Sequence, residues 1–326
     1  MWDFEIGRTM GIVVRTWPFV LLRVAVYAGI TLAYLFATGA GAGIGWGVGH
    51  AFTDAGGPFG FAIWGGIAGF GLVSIILYWV REYILYLVKA GHIAAMVHLI
   101  DGRDIPGGTG QLAYGRRVVT DRFAEASVLF LLDQLIKGVL AAITGLLGGI
   151  AAFIPIPGLN GLVKMLNAVI RMSVTYVDEI ILGYNIRTGS TTPFESGRQG
   201  IVLYAQNART MVKNAVWLTV FLWLVGLLLF LLFLAPAGAI VYAMPGEPAG
   251  WGFVFAILLA WACVSAFVEP FAIAALMQVY FRVIEGQQPN PEWDSRLEGA
   301  SRKFRELKER ASSELGAGFG GNVSPR

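Results

Sequence analysis

One long stretch without a charged side chain limits what this chain can fold into more than any other feature. From Asn214 to Gly246 there is no Asp, Glu, Lys, Arg or His. A helix of about 20 apolar residues spans a bilayer, and a helix satisfies its own backbone hydrogen bonds there. We therefore expect a membrane-spanning helix here, since a soluble core would have to surround the stretch on every side.

Charged residues are scarce in the whole chain and give little sign of soluble partners. Of its 326 residues 14% are charged and 56% are apolar, whereas soluble domains carry about 25% charged residues. The net charge of +3 is small, so we expect no nucleic acid partner. The single Cys263 and the scattered His50, His92 and His98 give no metal-binding pattern, so we expect no metal and no cofactor.

Six apolar runs are each long enough to cross a bilayer, so we expect an all-α polytopic membrane protein with about six transmembrane helices. The second and sixth runs continue as apolar helix to about Ile100 and Phe281. The runs are Pro18–Thr38, Phe61–Val80, Gln134–Ile154, Gly161–Ile181, Val216–Ala235 and Trp251–Phe271.

The connections between these runs alternate in charge. Three contain no Lys or Arg, namely Ala37–Gly60, Phe153–Gly161 and Met244–Trp251, whereas the others and the C-terminal tail are basic. Cytoplasmic loops of membrane proteins carry the excess of Lys and Arg. We therefore expect both termini in the cytoplasm, and a multi-pass protein of a bacterial cytoplasmic (inner) membrane.

The cytoplasmic connections resemble one another and predict a degenerate threefold repeat. Each begins with a Gly and Pro turn signal, at Gly102–Pro106, Gly189–Pro193 and Gly286–Pro289, and leads into an amphipathic segment suited to the headgroup layer. Each unit is one interfacial helix followed by a membrane hairpin. We expect one membrane domain over 1–315, with units 1–105, 106–192 and 193–292, a closing amphipathic helix 293–312 and a disordered tail 316–326.

One segment carries a resemblance to known families. The segment reads Thr192-Pro-Phe-Glu-Ser-Gly-Arg-Gln-Gly-Ile-Val-Leu-Tyr204 and enters an amphipathic helix and then a span. It resembles a broad group of bacterial membrane proteins built from such units, including uncharacterised families and the membrane domain of some glycerophosphodiester phosphodiesterases. This chain contains no phosphodiesterase domain, so the resemblance implies the membrane fold and not that activity.

A second resemblance covers the final third of the chain. It is carried by Tyr204-Ala-Gln-Asn207, by Lys213-Asn-Ala215 and by the segment from Tyr280 to Trp293. These features are similar to choline transporter-like proteins. Neither resemblance assigns a binding residue to this chain.

Three glutamates recur on the returning helix of each unit. At 1.5 Å per residue, Glu82, Glu179 and Glu269 lie at a similar depth near the inner interface. They can line a cytoplasmic vestibule as a functional set. They can equally be relics of duplication that are each paired with a local Arg or Lys.

Arg171 lies near the middle of its predicted span, at about the depth of Thr144 on the preceding span. It belongs to a polar stripe of helical period that also contains Lys164 and Asp178. Arg171, Thr144, Lys164 and Asp178 are candidate ligand-binding residues for an anionic or zwitterionic headgroup. The alternative is a polar seam between two spans, with no ligand.

No catalytic motif is present, so we do not expect an enzyme. The chain has no His-Glu-x-x-His, no phosphate-binding loop and no Gly-x-Ser-x-Gly turn. Two functions remain open. The first is a membrane scaffold or accessory subunit that organises lipids or partner proteins, including a second copy of this chain. The alternative is a transporter or channel for a small amphiphile or lipid headgroup, with a polar site around Arg171.

Overall fold

The structure, a computed structural model, describes residues 2–52, 58–105, 107–108, 110–122, 128, 131–141, 176–242 and 251–320. Within these ranges the regular elements are all helices, and no strand occurs. The helices are α1 Ile6–Arg15, α2 Trp17–Phe52, α3 Pro58–Ile100, α4 Gly110–Arg122, α5 131–141, α6 Val177–Thr188, α7 Pro193–Gln206, α8 Ala208–Tyr242, α9 Trp251–Cys263, α10 Glu269–Val283, α11 Pro291–Ala300 and α12 Arg302–Gly320.

Four described helical segments are long and apolar enough to cross a membrane. They are Trp17–Phe52, Pro58–Ile76, Ala208–Ala239 and Leu259–Val283. These segments overlap the first, second, fifth and sixth apolar runs of the sequence, and they confirm a helical membrane protein. The third and fourth runs lie mostly in 142–175, outside the described residues, so the count of six spans stays a prediction.

The helices form two compact units. Unit 1 contains Met1–Val20 and Lys89–Arg326, and unit 2 contains Leu21–Val88. Unit 1 therefore includes α1, the C-terminal end of α3 and the helices that follow it. Unit 2 consists of most of α2 and the first part of α3.

In unit 2 the helix α2 is longer than the first apolar run. It continues through a ladder of alternating glycines and ends at Phe52, so most of the expected connection 37–60 is helical. The reason is close packing against α3: a Cβ on Gly41 would overlap the backbone oxygen of Gly65, and one on Gly45 would overlap that of Phe61. Small residues allow this approach of helix backbones in membranes.

In unit 1 the helix α10 is the centre of the core. Every residue from Glu269 to Phe281 is buried, and the buried Tyr280 donates a hydrogen bond of 2.9 Å to the backbone oxygen of Gly200 on α7. The side-chain amide of Gln278 donates a hydrogen bond of 2.8 Å to Oγ1 of Thr9 on α1. Helix α10 is thereby fixed on two sides by hydrogen bonds of buried side chains.

The three turn signals recognised in the sequence adopt the same backbone conformation. Gly102, Gly189 and Gly286 have φ of 74°, 69° and 72° and follow the ends of α3, α6 and α10. Glycine adopts this left-handed conformation without steric cost, and it is a common helix terminator. The complete threefold repeat stays a prediction, because part of its second unit lies outside the described residues.

The C-terminal segment forms two helices that meet at Ser301. Helix α12 buries Phe304, Leu307 and Ala311, and it packs on α7. It continues to Gly320, so it includes the start of the segment for which the sequence predicts disorder. Residues 321–326 lie outside the described part of the chain.

Candidate functional site

The side chain of Lys89 joins two of the three glutamates singled out by the sequence. Its Nζ lies 2.9 Å from Oε1 of Glu179 and 2.7 Å from Oε1 of Glu269. The two carboxylate side chains are 7% and 12% exposed, and that of Lys89 is 24% exposed. Charges this well buried are retained in proteins when they are paired, and here one ammonium group serves two carboxylates.

Each member of this bridge comes from a different helix. Lys89 lies in the C-terminal part of α3, and Glu179 lies in the first turn of α6. Glu269 follows directly on a π-helical turn, Val264–Val268, and precedes Pro270. A proline inside a continuous helix crowds the carbonyl four residues earlier and cannot donate to it. The wider π-helical turn accommodates the proline ring and sets the direction of Glu269.

A second group of charges adjoins the first. Lys137 on α5 lies 2.8 Å from Oδ2 of Asp133 and 3.7 Å from Oδ2 of Asp178. Because Asp178 precedes Glu179 in the chain, the two groups are continuous. We call the six residues the ion cluster: Lys89, Asp133, Lys137, Asp178, Glu179 and Glu269.

The ion cluster is not balanced by its own lysines. It contains four carboxyl groups and two ammonium groups. Oδ1 of Asp178 and Oε2 of Glu179 are buried and accept no hydrogen bond from the described residues. A buried polar atom without a partner costs about 1–3 kcal/mol, so these two oxygens are the unsatisfied positions of the cluster.

The other predicted site residues are placed differently. Glu82 lies on α3, in a stretch whose side chains are not described. Arg171, Thr144 and Lys164 lie outside the described residues. The role of the glutamates as a vestibule lining therefore stays a prediction, as does a ligand site around Arg171.

Sequence reasoning missed Lys89, the residue that connects the glutamates. It lies in an apolar helical segment, Leu87–Ile100, in the helical continuation of the second run past Val80. A lone lysine in such a segment is a signal that could have identified it, because an ionisable residue among apolar neighbours needs a partner.

A second candidate surface lies on helix α4, whose exposed side carries Arg116 and Arg117. The inward face of α4 packs against other helices of unit 1. The side-chain amide of Gln111 donates a hydrogen bond of 2.7 Å to the backbone oxygen of Arg15. Gly115 lies so close to Phe19 and Gly91 that there is no room for a Cβ. Tyr114 lies 2.7 Å from Nδ1 of His98. Burial lowers the pKa of His98, so the ring is neutral at pH 7 and can accept this hydrogen bond.

The other face of α4 lines a shallow groove of about 460 Å³. The groove combines an apolar side chain with two exposed guanidinium groups. Its described lining residues are Leu112, Ala113, Arg116, Arg117 and Thr120. Guanidinium groups bind phosphate oxygens in a planar, bidentate manner, so this face has the chemistry to bind an anionic headgroup.

Together these features describe a membrane protein whose described residues form helices, four of them long and apolar enough to cross a bilayer, with a buried ion cluster and a basic face on α4. Among the described residues no group of three or more His, Cys, Asp and Glu has a geometry that could hold a metal ion. Comparison of the chain with protein-family profiles, with curated proteins and with solved structures finds no match. The two family resemblances noted in the sequence therefore stay predictions.

Proposed function

We propose that this protein is a membrane scaffold that organises anionic lipids at one face of the bilayer. The observation that carries the proposal is the face of α4 with Arg116 and Arg117 beside Leu112. An amphipathic helix in the headgroup layer buries its apolar side chains at the acyl boundary, while its basic side chains meet lipid phosphates.

The ion cluster supports a structural rather than a conducting interior. Lys89 pairs with both Glu179 and Glu269, so one oxygen of each carboxylate is engaged with a protein partner. Lys137 does the same for Asp133. Charges that are fixed in pairs hold helices together and leave little freedom to follow a passing solute.

The test measures the lipid that co-purifies with the protein. The double variant Arg116→Gln/Arg117→Gln is extracted in mild detergent, and bound phosphatidylglycerol and phosphatidylethanolamine are quantified by mass spectrometry. We expect a several-fold fall in the phosphatidylglycerol fraction with an unchanged melting temperature.

Arg296→Gln is the matched control for the lipid measurement. Arg296 is also exposed and helical, and it pairs with Glu292 on α11. We expect the wild-type lipid ratio in this variant. An unchanged ratio in the double variant, or an equal fall in the control, would contradict lipid binding by α4.

For orientation, we propose that both termini and the basic connections face the cytoplasm of a bacterium. The support is the alternation of Lys and Arg along the chain. In a Cys263→Ser background, a cysteine at Thr53 should react with an impermeant thiol reagent applied outside intact cells. A cysteine at Ser190 should react after lysis and not before it, and labelling of Ser190→Cys in intact cells would reverse the topology.

A transporter or channel for a small amphiphile or lipid headgroup is the second candidate. The observation in its favour is the π-helical turn Val264–Val268 inside a candidate span, next to the charged Glu269. Such turns occur frequently at functional sites. Reconstituted vesicles decide between the candidates: protein-dependent movement of choline or of a fluorescent lipid, abolished by Glu269→Gln, would favour transport over the scaffold.

A further inference from the structure

The neighbouring side chains of Asp178 and Glu179 show the clearest unexplained chemistry of the molecule. Each has one oxygen near a lysine, Lys137 for Asp178 and Lys89 for Glu179. Each also has a second, buried oxygen that accepts no hydrogen bond within the part of the chain that the structure describes. Both side chains are more than nine-tenths buried, so water does not solvate the second oxygens.

Asp178 and Glu179 are consecutive residues in the first turn of α6, and both side chains are buried there. Two ionised carboxylates that are buried side by side repel, and neither can donate a hydrogen bond. A single proton turns the repulsion into a hydrogen bond between donor and acceptor. This arrangement needs no further residue.

We propose that Asp178 and Glu179 form a proton-binding site, in which Asp178 carries an exchangeable proton and donates it in a hydrogen bond to Glu179. The proton is a third positive charge beside the two lysines of the ion cluster, and it lowers the excess of negative charge. One oxygen on each side chain, otherwise without a partner, is then satisfied.

The surroundings of the pair favour a proton over a metal ion. Lys89 of α3 and Glu269 of α10 face Glu179, while Asp133 and Lys137 of α5 face Asp178. Two ammonium groups lie near the carboxylates, at 2.9 Å from Glu179 and 3.7 Å from Asp178, and their positive charges disfavour a metal cation at the same place. A proton requires only the gap between two oxygens.

Occupancy of the site affects the bridge made by Lys89. With the proton present, Glu179 accepts from both Asp178 and Lys89, and Lys89 is shared with Glu269. Loss of the proton adds a negative charge next to Glu179 and strengthens its hold on Lys89. The site thereby links proton exchange to contacts between α3, α6 and α10. This inference goes beyond the lipid-organising role and does not depend on it.

Infrared difference spectroscopy of the reconstituted protein tests the proposal. A protonated carboxyl group absorbs at a higher frequency than a carboxylate, and its band shifts in heavy water. We expect such a band in the wild type at neutral pH, and we expect Asp178→Asn to remove it with little change in melting temperature, because a neutral amide replaces a neutral acid.

Asp101→Asn provides the matched control. Its carboxylate is also largely buried, but it is engaged by Arg187 at 2.8 Å and by Arg103 at 3.7 Å. We expect the band to persist in this variant. A wild-type protein without the band, or a band that Asp178→Asn leaves unchanged, would overturn the proposal.

Glu179→Gln keeps the test decisive if Asp178→Asn does not fold. This variant retains the proposed carrier and changes its acceptor, so the band of Asp178 should remain and shift in frequency. A band with wild-type position in Glu179→Gln would show that the proton does not lie between these two side chains.

Discussion

The two compact units differ in what holds their helices together. In unit 2 the helices approach through backbone contacts at Gly41, Gly45 and Gly65. From Val24 to Val80 the only Asp, Glu, Lys or Arg in the sequence is Asp54, and the other charged residues of unit 2, Arg23, Arg81 and Glu82, lie near its two ends. In unit 1 the contacts include buried hydrogen bonds between helices and the ion cluster.

The difference shows that the surroundings of two helices, lipid or protein, determine which interactions hold them together. Lipid tails are as apolar as leucine side chains, so burial of apolar surface does not drive two helices together inside a bilayer. Close backbone packing at small residues then provides the attraction. Where protein surrounds polar groups, as in unit 1, paired charges and hydrogen bonds specify which helices meet.

Replacing Lys89 is expected to have the largest effect. Lys89→Met leaves Glu179 and Glu269 buried without their shared cation. Removing one partner of a buried ion pair typically costs about 3–5 kcal/mol. We expect a large fall in the melting temperature in detergent, whereas Lys213→Met, in an exposed ion pair with Asp3, should have a small effect.

A charge-neutral triple variant separates lost charge from lost packing. Lys89→Met/Glu179→Gln/Glu269→Gln removes the cation and both carboxylates of this bridge together, so neither carboxylate is left without its cation. We expect most of the stability to return. If the triple variant is as unstable as Lys89→Met, the bridge does not explain the stability of unit 1.

A methyl group in the glycine contact of unit 2 is expected to have the next largest effect. Gly41→Ala places a Cβ against the backbone oxygen of Gly65, which cannot move aside as a side chain can. Overpacking of this kind costs about 1–3 kcal/mol. Thermal unfolding followed by size-exclusion chromatography should show a lower midpoint.

Gly43→Ala is the control on the same helix. A Cβ at Gly43 meets nothing within 4 Å, and alanine is a better helix former than glycine by about 1 kcal/mol. We therefore expect opposite signs for the two substitutions. Equal effects would mean that glycine packing does not hold α2 against α3.

Hydropathy predicted the four helices that are long and apolar enough to cross a membrane, because lipid imposes an apolar sequence. The common depth of the three glutamates stays a prediction. Hydropathy did not predict that α2 continues through the glycine ladder. Glycine is a poor helix former, so the helical structure of this part of α2 depends on its packing against Gly65 and Phe61 of α3. The bridge through Lys89 depends on how α3, α6 and α10 meet, and no periodicity within one helix contains that information.

The contact between α12 and α7 is expected to contribute moderately. Oε2 of Glu314 accepts from the backbone nitrogens of Phe194 at 3.0 Å and Glu195 at 3.3 Å. It thus caps α7 from another helix, and loss of a cap costs about 0.5–2 kcal/mol. Glu314→Ala should lower the melting temperature and speed proteolysis of α12. Ser313→Ala, an exposed neighbour, should change neither.

The smallest expected effect comes from the N-terminal contact of unit 1 at Asp3. Oδ2 of Asp3 lies 2.5 Å from Nζ of Lys213, and it accepts a hydrogen bond of 2.7 Å from the side-chain amide of the buried Asn214. Hydrogen bonds from Lys213 and Asn214 lower the pKa of Asp3 from its ordinary value of 3.8. A lowered pKa means that the ionised form is favoured by folding, so the stabilisation is complete above pH 3.8 and is lost as the pH falls through the lowered value.

Asp3→Asn should therefore reduce the free energy of unfolding at neutral pH by no more than about 1 kcal/mol, since this contact is exposed and screened. The difference from wild type should shrink as the pH falls below 3.8. Asp104→Asn, which breaks an exposed pair with Arg15, is the control and should show no measurable difference. A loss at Asp3 as large as that for Lys89→Met would contradict the view that interior pairs, and not surface pairs, stabilise unit 1.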